Sequence, residues 1–337
     1  MTLEENIKLK KKAAYISLIV GFLMFAGKIT AYFLTDSKAI FSDAAESVVH
    51  VLATSMALYS IILSSRPPDK SHLYGHGNIE YFSAGIEGLL IILAALVIIY
   101  TSIEGLITGL ELKSLDSGTA IIAVAGAVNL FLGFYLIRKG KQTNSLALVA
   151  DGKHVLTDSY TSIGVVIGLI LVLLTGFEII DPIFAIIVAV NILYTGFKLI
   201  RESIGGLMNE TDLDLLNKLV NKFDVIKKAE WIDLHHLRFW QSAEHLFVDF
   251  HLTLPYYYNI QESHEVEQEI EKELNKDFHD VQVRIHFDYC IEELCQYCRF
   301  LDCKVRKHNF NKDKAYKWNS EKLIGEPIQK MIGIDAD

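Results

Sequence analysis

The stretch "ADGKHVLTD", residues 150–158, places two carboxylates and an imidazole at the start of a long apolar run. Asp151, His154 and Asp158 follow one another at intervals of three and four residues, so on a helix their side chains share one face. An ionisable side chain inside a bilayer costs about 2.5–3.5 kcal/mol on the lower scales, and it rarely persists there without a function. The stretch therefore predicts a functional polar stripe on a membrane-spanning helix.

A matching stripe occurs earlier in the chain. In "SDAAESVVH", residues 42–50, Asp43, Glu46 and His50 have the same i, i+3, i+7 spacing. Two such helices can face each other, and their stripes then supply two imidazoles and two carboxylates, namely Glu46, His50, His154 and Asp158. These are ligand types that bind a divalent transition metal tetrahedrally. The alternative is a pair of interhelical hydrogen bonds without a metal, which explains one stripe more readily than two.

The composition indicates a membrane protein with a soluble part. Of the 337 residues, 51% are hydrophobic, which is high for an ordinary soluble protein of this charge. The apolar sequence is confined to roughly residues 13–200. The first apolar run stays apolar for the ~20 residues that a span needs, so we expect it to remain in the mature protein. The formal net charge of -9 argues against nucleic acid as a partner and is compatible with metal cations.

Apolar runs long enough to cross ~30 Å of hydrocarbon occur at residues 13–34, 39–64, 81–109, 118–137, 146–176 and 182–200. Six spans put both termini on one side of the membrane. Lysine and arginine concentrate at the N-terminus, in the loops 65–80 and 138–144 and after the last span, whereas the opposite loops offer only Lys38 and Lys113. This bias predicts a multi-pass protein of the cell inner (plasma) membrane, in contact with its lipid, with both termini cytoplasmic.

The two stripes, together with "SKAIFSD" at residues 37–43, resemble the signature helices of the cation diffusion facilitator family of bacterial divalent metal/proton antiporters. The resemblance extends from the first span to about Tyr289. The family's fifth helix supplies a histidine and then an aspartate, which His154 and Asp158 match. Its second helix usually supplies His or Asp and then Asp, where this chain has Glu46 and His50. The resemblance implies a non-enzymatic homodimer that exports divalent cations from the cytoplasm by proton antiport.

The ligand types bear on the metal and on the class of protein. Two imidazoles and two carboxylates suit zinc, with iron, cobalt and cadmium acceptable, because manganese usually prefers more oxygen ligands. Zinc would then be both substrate and regulator. Two other classes remain open at this point. An intramembrane zinc metalloenzyme would leave one coordination position for water, and the sequence contains no HExxH motif. A metal sensor without transport would not need six spans.

The loop "RPPDKSHLYGHGNIEYF", residues 66–82, carries Asp69, His72 and His76 between prolines and glycines that break helices. A histidine-containing loop by itself is often just a solvated turn. The resemblance implies a second metal site formed by these three residues.

After residue 208 the pattern changes to a charged αββαβ sequence. We predict a helix over about 212–223, strands in 231–240 and 245–254, a helix over 261–276 and a strand over 281–288. In the second strand every other residue from Leu246 to Leu254 is apolar, which predicts one core-facing side. The pattern resembles the family's ferredoxin-like, metallochaperone-like cytoplasmic domain, which dimerises and senses metal. The residues at its ligand positions are His235, His251, His264, His286 and Asp288.

All cysteines lie near the C-terminal end of this region, at Cys290, Cys295, Cys298 and Cys303. In a reducing cytoplasm we expect no disulfides, and the CxxC within the group can bind zinc or another soft metal. The alternative is a helix that buries the cysteines as small hydrophobic residues. Residues 311–337 read as a loosely ordered polar extension. The predicted organisation is a six-helix transport domain (1–208), a cytoplasmic domain (209–290) and a cysteine-containing tail (291–337).

Overall fold

The structure is a computed structural model that describes residues 3–35, 38–108, 117–175, 179–243, 245–278 and 280–334. Within these ranges, side chains are described except at residues 3, 31–46, 49, 108–123, 161–162, 164–178, 180–181 and 184. The chain divides into two compact units, Met1–Met208 and Asn209–Asp337.

The described part of the first unit consists of long helices. They are α1 (Leu3–Thr35), α2 (Lys38–Ser64), α3 (Ile79–Thr108), α4 (Ser117–Thr143), α5 (Leu146–Thr175) and α6 (Ile180–Leu207). Each contains one of the predicted apolar runs, apart from an end residue or two. Among the described residues, two segments, Glu4–Thr30 and Ile79–Ile107, are each long and apolar enough to cross a membrane. That all six helices span stays a prediction.

Helix α5 packs on both sides. Leu148 and Val155 belong to an apolar cluster that includes residues of α1, α2 and α4. Ala150 belongs to a second cluster with residues of α3 and α6. Asp151 and His154 are buried among these helices, at 0% and 6% exposure. The polar stripe of α5 therefore lies inside the helix bundle rather than on its outer surface.

Glycines allow the helices next to the stripe to pack closely. A Cβ added to Gly133 of α4 would lie 3.0 Å from the carbonyl oxygen of Gly152 of α5, and the reverse distance is also 3.0 Å. Gly88 of α3 and Gly196 of α6 make a similar pair, with distances of 3.1 Å and 3.0 Å. Small residues are the usual means of bringing membrane helices into van der Waals contact. The Gly133–Gly152 contact holds α5 against α4, and Gly152 precedes His154 by two residues.

A buried polar cluster ties four parts of the first unit together. Glu80 of α3 accepts from the Lys10 ammonium of α1 at 3.1 Å and from the Ser64 hydroxyl of α2 at 2.7 Å, both on Oε1. The hydroxyl of Ser145, at the start of α5, donates to the other carboxylate oxygen. A buried charge is tolerated when it is paired and hydrogen-bonded in this way.

The second unit has the predicted αββαβ order. Its elements are α7 (Leu213–Ile226), β1 (Asp233–Ser242), β2 (His245–Leu254), α8 (Ile260–Leu274) and β3 (Val281–Tyr289). The sheet order is β1-β2-β3, with β1 antiparallel and β3 parallel to the central β2. Asp212 caps α7, and Asn259 forms a capping box with Glu262 at the start of α8. The alternating apolar residues of β2 face the core as expected, from Leu246 at 2% to Leu254 at 2% exposure.

The prediction of a loosely ordered C-terminal extension is wrong. Short helices α9 (Ser320–Ile324) and α10 (Ile328–Met331) follow the sheet, and Leu323 is fully buried in the same core as the strands. The Lys322 ammonium lies 2.7 Å from Oδ1 of Asp233, and the backbone N–H of Ile328 donates to Oδ2 at 2.8 Å. The segment holds too few apolar residues for a periodic pattern. The sequence therefore did not show that its apolar residues pack against β1.

The cysteine segment also differs from the helical alternative. Residues Glu292–Gln296 form a short 3-10 helix, and the residues that follow are turns rather than an α-helix. Residues 291–337, which the sequence set apart as a tail, lie in the same compact unit as the sheet.

Candidate metal centres

The two polar stripes meet between α2 and α5. The Nδ1 atom of His50 lies 2.7 Å from Oδ2 of Asp158, and the ring centroids of His50 and His154 are 5.4 Å apart. One ligand atom from each of these three residues lies within 4.8 Å of the others. The structure thus gathers three of the four predicted ligands. The fourth, Glu46, belongs to α2, but its side chain is outside the part of the chain that the structure describes.

Two imidazole nitrogens in this group are available for a ligand. An ionised carboxylate only accepts hydrogen bonds, so the Nδ1–H of His50 donates to Asp158. In the neutral imidazole, Nε2 then carries the lone pair. Nε2 of His50 and Nδ1 of His154 are buried and have no hydrogen-bond partner among the described residues. Buried polar atoms are nearly always paired. Two unpaired nitrogens beside a partly buried carboxylate are therefore an arrangement that a metal ion would complete.

Two further residues contact the polar stripes of α2 and α5, and sequence reasoning missed both. A Cβ added to Gly21 of α1 would lie 3.3 Å from Cδ2 and 3.4 Å from Nε2 of His50, so α1 approaches the ring closely. The Thr54 hydroxyl donates to Oδ1 of Asp151 at 3.1 Å. Thr54 follows His50 by four residues, so its position on the α2 stripe could have been found from the helical period. Nothing in the sequence pairs Gly21 with His50.

The loop between α2 and α3 is shaped by Asp69. One of its carboxylate oxygens accepts from the Ser71 hydroxyl at 2.9 Å, the Ser71 backbone N–H at 2.8 Å and the His72 backbone N–H at 2.8 Å. These hydrogen bonds, with that from the Ser71 hydroxyl foremost, hold the pKa of Asp69 below its usual value. Gly75 closes the turn at a φ of +82°, a conformation that glycine adopts without strain.

The turn brings all three predicted loop residues together. His76 Nε2 lies 3.2 Å from Oδ2 of Asp69, and His72 Nδ1 lies 3.4 Å from Oδ1. The two imidazole rings are 4.4 Å apart, and the three residues offer ligand atoms within 4.8 Å of one another. A carboxylate kept ionised between two imidazoles is a suitable start for a divalent-cation site.

A third group crosses the sheet of the second unit. The strand register places His235 opposite His251 and His251 opposite His286, so β1, β2 and β3 contribute one histidine each to a row. Oδ2 of Asp288 lies 3.2 Å from Nε2 of His235 and 3.1 Å from Nδ1 of His251. These three residues have ligand atoms within 4.8 Å of one another. His286 lies beside them, with its ring 4.5 Å from that of His251.

His264, the remaining predicted ligand of the second unit, does not join this group. His236, which was not predicted as a ligand, lies beside it. His264 lies on α8 and pairs with Glu267 and Gln268 of the same helix. His236 instead has its ring 5.1 Å from that of His235 and 5.2 Å from that of His251. Strict alternation along β1 would point it the other way. A β-bulge between His235 and Arg238, with a φ of +52° at His236, changes its direction.

The acid–base state of the sheet group follows from its contacts. Burial opposes protonation of His235, but the Asp233 carboxylate 3.3 Å from Nδ1 and the Asp288 carboxylate 3.2 Å from Nε2 outweigh it and raise the His235 pKa. Burial also opposes ionisation of Asp288, and the neighbouring imidazoles of His235 and His251 outweigh that and lower the Asp288 pKa. In the absence of a metal, the Asp288 carboxylate therefore favours the protonated form of His235, which lies where a cation could bind.

Comparisons with known proteins agree with this architecture. Residues 14–208 match the model of the cation efflux transmembrane domain, and residues 221–290 match that of the cation efflux protein cytoplasmic domain. An uncharacterised transporter of Synechocystis sp. is 32% identical over 83% of this chain and 91% of its own length. The manganese efflux system protein MneP of Bacillus subtilis is 28% identical over 86% and 99%. The cadmium, cobalt and zinc/H+–K+ antiporter of that organism is 28% identical over 76% and 84%.

The helical unit and the sheet unit, with the family matches that cover each of them, define a membrane transport protein of the cation efflux class. The chain belongs to the cation diffusion facilitator family. At the level of the family, its members are transporters of divalent metals rather than enzymes.

Proposed function

We propose that this protein exports a divalent transition-metal cation, zinc in the first place, from the cytoplasm in exchange for protons. The observation that carries the proposal is the convergence of His50, His154 and Asp158. They come from α2 and α5, their ligand atoms lie within 4.8 Å of one another, and the two histidines are buried while Asp158 is partly buried. Ionisable groups at such depth usually mark an ion pathway.

In this proposal Glu46 completes the site as the fourth ligand. It precedes His50 by four residues on α2, a spacing that lets two side chains of one helix reach one ion. Two imidazoles and two carboxylates favour zinc and accept iron, cobalt and cadmium. The names of the two Bacillus subtilis relatives point to manganese in one case and to cadmium, cobalt and zinc in the other. Competition between these cations is therefore part of the test.

Proton coupling follows from the ligand chemistry. A metal binds neutral imidazole and ionised carboxylate, so protons that reach His50, His154 or Asp158 compete with the cation. The site loads metal when it is open to the cytoplasm and releases it when protons arrive from the other side. Rocking of helices around a fixed site between them is the general way in which such access alternates.

The rest of the proposal concerns topology and assembly. All six helices span the inner (plasma) membrane, both termini are cytoplasmic, and the second unit joins two copies in a homodimer. The loop group at Asp69 and the sheet group at Asp288 bind cytoplasmic metal and favour the transport-ready state. Such regulation requires that the metal bind one conformation more tightly than the other.

The test is zinc flux into vesicles that contain the purified protein and carry an imposed pH gradient. We expect flux in the unaltered chain, with a loss in Asp158→Asn that exceeds the 10–100-fold typical of changes around metal ligands. Glu202→Gln is the matched control, because Glu202 is a carboxylate of α6 that pairs with Lys153 at 3.0 Å, outside the metal group. Manganese, iron, cobalt and cadmium are then added as competitors.

Zinc flux that survives Asp158→Asn would remove the proposed site. Metal flux without any dependence on the pH gradient would remove the proton coupling. Peptide hydrolysis in the absence of flux would favour a metalloenzyme, and metal binding with neither activity would favour a sensor.

A further inference from the structure

The cysteines of the second unit converge on one small cavity. Cys290 follows β3, Cys295 lies in the 3-10 helix after it, and the remaining two lie in the turns that follow. All four thiols are free, and we call Cys290, Cys295, Cys298 and Cys303 the cysteine cluster. They line a cavity of about 20 Å³, which is room for one water-sized occupant or a single ion.

The turns that carry the cluster are held by one arginine. The guanidinium of Arg306 donates to the carbonyl oxygens of Cys295 at 2.9 Å, Cys298 at 2.9 Å and Phe300 at 2.8 Å. It also donates to the carbonyl of His308 at 3.0 Å. These bonds take the place of the regular backbone hydrogen bonds of a helix or strand, so the backbone that carries the thiols has a defined conformation. The same guanidinium lines the cavity.

The charge of Arg306 suits a metal–thiolate group. A divalent cation with four thiolates carries a net charge of about −2, and a positive charge at the cavity wall offsets part of it. Burial raises the pKa of the Cys290 and Cys298 thiols, and the backbone N–H groups of Tyr256 and Phe300 offset part of that rise. A guanidinium at the cavity wall is not needed for cysteines that only fill space.

Apolar packing accounts for two members of the cluster. Cys298 is buried with Ile232, Leu294 and Ile328 in a satellite core of the second unit, and the half-buried Cys290 packs against that core. A free thiol can act there as a small hydrophobic side chain. Cys295 and Cys303 are half-buried and are not among the residues of that core. Apolar packing therefore does not explain why these two also line the cavity.

We propose that the cysteine cluster is a thiolate site for one thiophilic divalent cation of the zinc and cadmium type. The site is separate from the three carboxylate–imidazole groups. In the described part of the chain, the groups of three or more potential ligands within 4.8 Å of one another do not include these cysteines. Tetrahedral coordination with metal–sulfur bonds of about 2.3 Å needs closer sulfurs. Binding therefore rotates the half-buried thiols inward about χ1, which is a change between staggered rotamers.

Cadmium titration of the full chain tests this proposal. The protein is purified in detergent with a phosphine reductant, stripped with a chelator and titrated while the ultraviolet thiolate-to-cadmium charge-transfer band is recorded. Histidine and carboxylate ligands give no such band, so the readout does not depend on the transport site or on flux. We expect the band to saturate at one cadmium ion per chain and zinc to displace it.

Two variants provide the comparison. Cys295→Ser combined with Cys303→Ser changes two half-buried thiols and leaves the buried Cys298 in place, so the core is kept. We expect at least a tenfold weaker cadmium affinity and a smaller band. His251→Gln is the matched control, because it removes a ligand of the sheet group, and its band should equal that of the unaltered chain.

Protection of the thiols from maleimide gives a second readout that does not rely on a variant. The half-buried Cys290, Cys295 and Cys303 should react in the stripped protein and be protected when zinc is bound. An absent charge-transfer band in a protein whose half-buried thiols react would overturn the proposal. An unchanged band in the double variant would do the same.

Discussion

The Lys10 ammonium lies 3.1 Å from Oε1 of Glu80, and both side chains are buried, at 0% and 2% exposure. The pair joins residues 70 positions apart, from α1 and α3, and the two serine hydroxyls on Glu80 extend it to α2 and to the start of α5. A buried ion pair of this kind adds little net stability compared with apolar residues, but breaking one half of it is costly. It fixes which helices meet at this end of the first unit.

Lys10→Met should lower the stability of the first unit strongly, because it leaves the Glu80 carboxylate buried without its ammonium partner. The expected cost is about 3–5 kcal/mol, seen as a lower Tm of the detergent-solubilised protein. Lys12→Met is the control, because Lys12 is exposed and should change the Tm little. The double variant Lys10→Met with Glu80→Gln should recover part of the loss. A double variant less stable than Lys10→Met would contradict this explanation.

Gly21→Ala should weaken metal binding at the α2–α5 site without removing a ligand. The added Cβ would lie 3.3 Å from Cδ2 of His50, so the ring or α1 must move. Overpacking of this kind costs about 1 kcal/mol or more, which is roughly a fivefold change in affinity. The measurement is the zinc concentration at half-maximal flux. Gly27→Ala on the same helix is the control, because its Cβ would meet nothing within 4 Å, and equal effects of the two changes would argue against the His50 contact.

Leu323→Ala should destabilise the second unit by about 2–5 kcal/mol, the usual range for a buried leucine. Leu323 is fully buried, whereas the neighbouring Ile324 of α9 is 50% exposed. Ile324→Ala is therefore expected to cost much less. Thermal unfolding of the two variants, followed by the fluorescence of the nearly buried Trp318, gives the comparison. Similar unfolding temperatures for both would mean that the C-terminal segment does not contribute to the core.

The stability of the metal-free second unit and the binding of metal to the sheet group should depend on pH in opposite ways. The pKa of His235 is raised, so its contribution to stability is complete below the ordinary histidine pKa of about 6.5 and is lost as pH rises through the raised value. The pKa of Asp288 is lowered, so its contribution is present above about 3.9 and is lost as pH falls through the lowered value. Metal binding needs the unprotonated imidazole and strengthens as pH rises.

We therefore expect the zinc-induced rise in Tm to grow from about pH 6 to about pH 8, and the metal-free protein to lose stability over the same interval. His235→Gln should flatten both trends, since it removes the group that titrates. His308→Gln is the control, because His308 lies 3.5 Å from Glu292, away from the sheet group, and its side chain is 48% exposed. A zinc effect of the same size at both ends of the interval would show that His235 does not bind the metal.

Much of the fold follows from local patterns in the sequence. Apolar runs of spanning length predicted the helices α1 to α6, because a helix in an apolar medium satisfies its own backbone hydrogen bonds. The alternation in residues 245–254 predicted the buried face of β2, and capping residues such as Asp212 and Asn259 mark where α7 and α8 begin. The i, i+3, i+7 spacing also placed His154 and Asp158 on one face of α5. Each of these features depends on neighbours a few residues away.

Only the tertiary structure decided which groups meet. The contact of His50 with Asp158 spans 108 positions, and the position of Gly21 against the His50 ring depends on how α1 packs. The bulge at His236 and the docking of Leu323 on the sheet likewise depend on segments that are distant in the chain. The helical and strand periods follow from the geometry of one segment, whereas a contact between segments depends on the shape and polarity of both surfaces at once. A single sequence therefore determines which side chains share a face, and packing determines what that face touches.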